Sequence, residues 1–192
     1  MTCKRVAPRA VAAGVAAAVV ATVTPDLRAQ TLITQEEALA LAFPGAEAIE
    51  RRTAYLTEEE VARARLLAGE GVRVETAVLT YYVALRGGRP LGVAYFDAHR
   101  VRTLPEVLMV VVGTDDRIRR IELLRFREPP DYRPPPVWLE RFRGHALDGE
   151  LSLKSGVVNI TGATLTSDAV TDAARRLLAL HHVVRPFGEG RR

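Results

Sequence analysis

Thr76-Ala-Val-Leu-Thr-Tyr-Tyr-Val-Ala-Leu85, then Arg86-Gly87-Gly88-Arg89, then Leu91-Gly-Val-Ala-Tyr-Phe96 is a strand, a turn and a strand. The two outer runs are rich in Val, Tyr and Leu, and a pair of glycines between two such runs reads as a β-hairpin. A second hairpin follows, with strands over Val107 to Val112 and Ile118 to Phe126 joined by Gly113-Thr114-Asp115-Asp116. Four strands in this order predict a mainly antiparallel sheet with helices on one face, an α+β domain.

The flanking segments supply the helices. Thr34-Gln35-Glu36-Glu37 and Thr57-Glu58-Glu59-Glu60 are capping boxes. The first predicts a short helix through Leu41 that Phe43-Pro44-Gly45 ends; the second predicts one to about Ala68, closed by Gly69. Ala46 to Tyr55 lies between them as a further strand. After the second hairpin, Glu128-Pro129-Pro130 and Pro134-Pro135-Pro136 exclude regular pairing and form a rigid loop before a short helix at Val137 to Phe142. Asp168 to Val184 carries Ala169, Val170, Ala173, Leu177, Leu178 and Leu180 at helical spacing, with Thr166 or Ser167 as its N-cap.

The run Asn159-Ile160-Thr161-Gly162-Ala163-Thr164-Leu165-Thr166-Ser167 gathers four hydroxyls around a Gly-Ala step just before that helix. A helix start offers unpaired N–H groups and a positive dipole end, so the segment reads as a phosphate site. Hydroxyl clusters before helices also act simply as caps. The histidines form no site in the sequence: His181 and His182 are adjacent on one helix, which is poor metal geometry, His99 and His145 stand among arginines, and all four are read as surface residues.

Of 192 residues, 48% are hydrophobic and 26% charged, which fits one globular domain and excludes a disordered chain. Residues 1–29 hold Lys4, Arg5, Arg9 and Arg28 against Asp26, so of 27 basic and 23 acidic residues, 23 and 22 remain. That balance gives no reason to expect a polyanion partner such as nucleic acid. Lys4-Arg5 before the Ala/Val run from Ala10 to Val23 is a signal-peptide pattern, shorter than the ~20 residues of a membrane span. Cleavage is expected near Ala29; the alternative is an uncleaved N-terminal anchor. The single cysteine, Cys3, lies in that segment, leaving no disulfide, thiol ligand or haem attachment site. The predicted organisation is a signal peptide over 1–29, a helical and strand segment over 30–74, the main domain over 75–184 and a tail over 185–192.

Thr161-Gly162-Ala163-Thr164 followed by Leu165-Thr166-Ser167 resembles the signature of the FMN-binding domain family. That family includes flavinylated components of the sodium-pumping NADH:quinone reductase and of the Rnf electron-transport complex. The resemblance implies FMN held covalently by a phosphoester to Thr164, with Thr161, Gly162, Ala163, Leu165 and Thr166 around the phosphate. It further implies that Glu128, in the degenerate Glu-Pro-Pro counterpart of a family Glu-Thr-Pro loop, lies near the flavin. One position departs: the family's usual acidic residue three places before the first Thr is Val158 here. The implied function is an exported flavoprotein moving electrons at the outer face of the cytoplasmic membrane, an electron carrier rather than a stand-alone catalyst. Its implied partners are a flavin transferase and membrane electron-transport components, with no metal. Two alternatives are a flavin-dependent reductase of a soluble substrate and a binding module of the same fold without cofactor, the latter suggested by Val158.

Overall fold

The computed structural model describes residues 30–188 except 154, 155 and 158. The signal peptide expected over 1–29 and the departure at Val158 therefore lie outside the described residues. Six strands form one antiparallel sheet in the order β1-β6-β5-β4-β3-β2. They are β1 (Gln30–Thr31), β2 (Ala48–Tyr55), β3 (Val78–Arg86), β4 (Arg89–Val101), β5 (Leu104–Gly113) and β6 (Ile118–Phe126). The α+β fold with two central hairpins is as the sequence predicts.

The capping boxes are both formed. Thr34 Oγ1 accepts from the Glu37 N–H and the Glu37 carboxylate accepts from the Thr34 N–H, opening α1 (Gln35–Ala42); Thr57 and Glu60 do the same for α2 (Glu58–Ala68). Gly69, at φ 93°, ends α2 where an L side chain would be strained.

Residues alternate between the two faces of the sheet, and both faces are covered. On one face Tyr81, Val83, Val93, Tyr95, Leu108, Val110, Val112 and Leu123 meet α2, the short α3 (Pro136–Leu139) and the long α4 (Thr164–Val184). On the other, Ala84, Ala94, Met109, Val111 and Leu124 meet Ala38 and Leu39 of α1 and Phe43, its C-cap. The expectation of helices on a single face is thus corrected. The reason lies in the central strand: Val107 to Val112 is apolar at every position, as a strand buried on both sides must be.

The strands β4 and β5 are longer than their sequence readings, β4 running to Val101 instead of Phe96 and β5 starting at Leu104 instead of Val107, and they pair with each other as a further hairpin. The added part of β4, Asp97-Ala98-His99-Arg100, is too polar to read as a buried strand, and the charge of Asp97 is met by its neighbour His99 and by the distant Arg176. At the other end of α4, His181 is buried, contrary to the surface role expected of it. Its Nε2–H donates to Asp116 at 2.9 Å and its Nδ1 accepts from the Tyr95 hydroxyl at 2.9 Å, pinning α4 to the β5–β6 turn.

Two measurements check this packing. Gly92 has no room for a side chain: a Cβ would sit 2.9 Å from the Val112 carbonyl oxygen and 3.1 Å from the Phe43 ring. Gly92→Ala should cost on the order of 2 kcal/mol in denaturant unfolding. Burial lowers the His181 pKa, opposed by Asp116, so the folded state binds a proton less readily than the unfolded chain. The contribution of His181 is therefore complete above about pH 6.5 and declines as pH falls below it. The stability of wild type relative to His181→Gln should be larger at about pH 7.5 than at about pH 5.

Candidate functional site

The hydroxyl-rich run forms the entry to α4, and the helix starts four residues earlier than its apolar spacing indicated. Thr164 is its first residue and Ala163 its N-cap, with no side-chain cap. The expected caps, Thr166 and Ser167, instead face inward, at 2% and 0% exposure. Ser167 Oγ donates to the Ala163 carbonyl at 3.1 Å and accepts from the Ile160 N–H at 3.2 Å. Thr171 Oγ1 donates to the Ser167 carbonyl at 2.8 Å. Hydroxyls that bond back along the backbone are compatible with the first turns of a helix, which is why a cap reading misplaced the start.

Ahead of the helix, Gly162 adopts φ 84° and turns the chain, while the Ala163 N–H donates to the Ile160 carbonyl at 3.0 Å. The first intrahelical bond runs from the Ser167 N–H to the Ala163 carbonyl at 3.0 Å. The N–H groups of Thr164, Leu165 and Thr166 have no partner among the described residues. They surround the exposed Thr164 side chain, whose Oγ1 accepts from Asn159 Nδ2 at 3.2 Å. Thr161 and Gly162 are exposed beside it, and Leu165 is 50% exposed. The structure thus brings Thr161, Gly162, Ala163, Thr164, Leu165 and Thr166 into one turn. It divides their hydroxyls into two accessible ones, on Thr161 and Thr164, and one interior one, on Thr166.

Glu128 lies apart from that turn in sequence but at the same end of the sheet. Tyr95 of β4 meets His181, and Asp97 meets Arg176, so following β4 toward its turn at Val101–Leu104 follows α4 back toward Thr164. Glu128 is buried, and its Oε1 accepts from the Thr103 and Leu104 N–H groups at 3.2 and 3.0 Å, holding this β4–β5 turn in place. Arg102, at the turn, lies over the Tyr132 ring with 4.8 Å to its centroid. Trp138 packs edge-on against Phe142 inside the core.

A polar cluster beneath α4 was not visible in the sequence. Arg176 donates to both oxygens of Asp97, Nη2 to Oδ1 at 2.8 Å and Nε to Oδ2 at 2.9 Å. Asp97 Oδ1 lies 2.8 Å from His99 Nδ1, and His99 Nε2 stands 3.9 Å from the carboxylate of Glu106, its cross-strand neighbour. Burial pushes the Asp97 carboxyl up, but the hydrogen bonds from His99 and Arg176 outweigh it and hold it below its ordinary value. Burial pushes the Glu106 carboxyl up to about 7, with His99 opposing and Asp97 adding to the rise. His99 is therefore half of an oriented pair and not a surface residue. The one available signal was the acid at Glu106 inside an apolar strand, and its partner depended on an unknown register.

Among the described residues no group of three or more His, Cys, Asp or Glu is placed to hold a metal ion. No helix among them is long and apolar enough to cross a membrane. No curated protein matches the sequence. Residues 105–179 match the family model of the FMN-binding domain, a stretch that begins in β5, includes Glu106 and Glu128, and ends within α4 after the Thr161–Ser167 run. The α4 entry turn, with its open N–H groups and exposed Thr164, thus lies within the stretch that is similar to an FMN-binding domain, and the match supports a flavin-binding role for these residues.

Proposed function

We propose that FMN is attached covalently through its phosphate to Thr164 Oγ1, and that the protein carries electrons on this flavin outside the cytoplasm. The observation that supports the site most strongly is the position of Thr164 as the exposed first residue of α4, where three N–H groups have no partner among the described residues. A phosphodiester keeps one negative charge, and a helix start is where such a charge is stabilised. The donor set fits the group: Leu165 and Thr166 offer N–H groups, Asn159 an amide, and Gly162 a turn open on its outer side, since a Cβ there would meet nothing within 4 Å.

Accessibility separates Thr164 from its neighbours. A transferase must reach the hydroxyl it esterifies, and Thr166 and Ser167 are buried. Thr161 is exposed but precedes the Gly162 turn, away from the first helical N–H groups. Attachment forms the Oγ–P bond and releases the hydroxyl proton of Thr164. The flavin supplies the redox chemistry, while these residues hold and orient it. Glu128, fixed at the same end of the sheet, contributes a negative charge that would favour the oxidised flavin.

Export rests on residues 1–29, read as a signal peptide cleaved near Ala29, and places the domain in the periplasm or at the outer face of the cytoplasmic membrane. A flavin transferase matures the protein there, and membrane electron-transport components are its redox partners.

Coexpression with a magnesium-dependent flavin transferase, followed by peptide mass spectrometry, tests the attachment. Wild type, Thr161→Ala and Thr166→Ala should carry FMN, and Thr164→Ala should carry none while losing no more than about 1 kcal/mol of stability. Flavin retained on Thr164→Ala, or no adduct on wild type, would overturn the assignment. N-terminal sequencing of exported protein should begin at Gln30 or within a few residues of it. A start at Met1 would replace cleavage with an N-terminal anchor.

A further inference from the structure

Glu106 is 1% exposed, yet neither of its carboxyl oxygens has a hydrogen-bond partner, and neither does the buried Nε2 of His99. Native proteins rarely leave buried polar atoms unpaired, because each costs free energy that water would otherwise offset. Three such atoms within one cross-strand pair call for a reason. Metal ligation is a poor one, since the pair supplies a single imidazole and a single carboxylate.

The arrangement suits a proton. Asp97 is held by both arms of Arg176 and accepts the Nδ1–H of His99, which leaves the Nε2 lone pair aimed toward Glu106 at 3.9 Å. A small shift or one water closes that gap. His99 also lines a cavity of about 830 Å³ that opens where β3 and β4 separate above the Tyr81–Tyr95 pair, together with Asp97, Arg100, Thr80 and Arg176. One face of the imidazole therefore borders a solvent-reachable space and its Nε2 borders a buried acid.

Resting on the assignment of FMN to Thr164, we propose that Glu106 and His99 are the proton site of the flavin. When an external two-electron donor reduces the FMN, the flavin binds one proton, and the Glu106 carboxylate takes a second from the cavity through His99, becoming a neutral carboxylic acid. Glu106 lies within the matched domain and beneath α4, the helix whose first residue is Thr164. Negative charge arriving on the cofactor favours the neutral form of a buried acid nearby. The charged groups around the pair are Asp97 from β4, Arg176 and Asp172 from α4, and Glu128 beyond β6; the β6 residue opposite Glu106 is Phe126. Glu106 is the group among these whose carboxyl sits at about 7, ready to change charge near neutral pH.

The flavin-free chain provides a first readout. The Glu106 carboxyl, followed by carbon-13 NMR, should titrate near pH 7 instead of near 4.5. Because its folded pKa is raised, its contribution to stability is complete below the unfolded value and is lost as pH rises through about 7. Glu106→Gln should thus gain stability relative to wild type between about pH 5 and pH 8. In flavin-loaded protein reduced by dithionite, the wild-type potential should fall more steeply with pH, by one further proton per electron pair, in a window opening near pH 7. Glu106→Gln should lack that window, and His99→Gln should keep it at equilibrium but take up the proton more slowly. Equal slopes in loaded wild type and Glu106→Gln, or an ordinary Glu106 titration, would overturn the proton site alone. A wild-type chain that accepts no flavin would overturn the Thr164 assignment and this inference with it.

Discussion

The structure depends on the burial of one face of α4 against the inner side of β4 and β5. Val170, Ala173, Ala174, Leu177 and Leu178 meet Tyr95, Leu108 and Val110 in a single core, and that area of apolar contact fixes the height and direction of the helix. Everything of functional interest follows from where its first turn is thereby held. Two polar ties keep the helix from sliding: Arg176 on Asp97 near its middle and His181 between Tyr95 and Asp116 near its end. Apolar burial supplies the affinity of helix for sheet, and these directional contacts specify the register in which the two meet.

What the sequence made legible is what local chemistry controls. Capping boxes set the starts of α1 and α2, glycine pairs and aspartates set the hairpin turns, and β6 matches its sequence reading residue for residue. What it concealed depends on partners far along the chain. Asp97 and His99 look like the end of a strand until Arg176, nearly eighty residues later, neutralises Asp97. The start of α4 was hidden for the opposite reason, since Thr166 and Ser167 have cap chemistry locally but find backbone partners inside the helix. The candidate site residues were proposed from the Thr-Gly-Ala-Thr run, whereas the pairing of Glu106 with His99 required the register between β4 and β5.

The inward turn of Thr166 and Ser167 has a consequence for the Thr161–Ser167 run as a whole. Four hydroxyls in seven residues suggest a uniform polar surface, but the helix separates them by direction. Ser167 bonds back to Ala163 on the interior side, whereas Thr164, in the first turn, is left on the exterior. Ser167 braces the turn through Ile160 and Ala163, and this leaves Thr164 able to serve a ligand without carrying any of the local fold. A residue whose side chain is bonded, among the described residues, to the Asn159 amide alone can be modified at little structural cost.

That exposed position also bears on why attachment would be covalent. A helix start stabilises an anion by roughly 0.3–2 kcal/mol, and each hydrogen bond to a charged oxygen adds about 1.5–3 kcal/mol. No lysine or arginine lies in the Thr161–Ser167 run, and its turn is open to solvent, where competing water weakens both terms. Holding a free cofactor at nanomolar concentration takes about 12 kcal/mol, more than three N–H groups and a dipole supply after the entropy of binding is deducted. Under the proposed attachment, the turn orients a phosphate and does not have to retain one. A phosphoester to Thr164 would remove the dissociation step altogether, and the weak contacts of the helix start would then need only choose the direction in which the cofactor points.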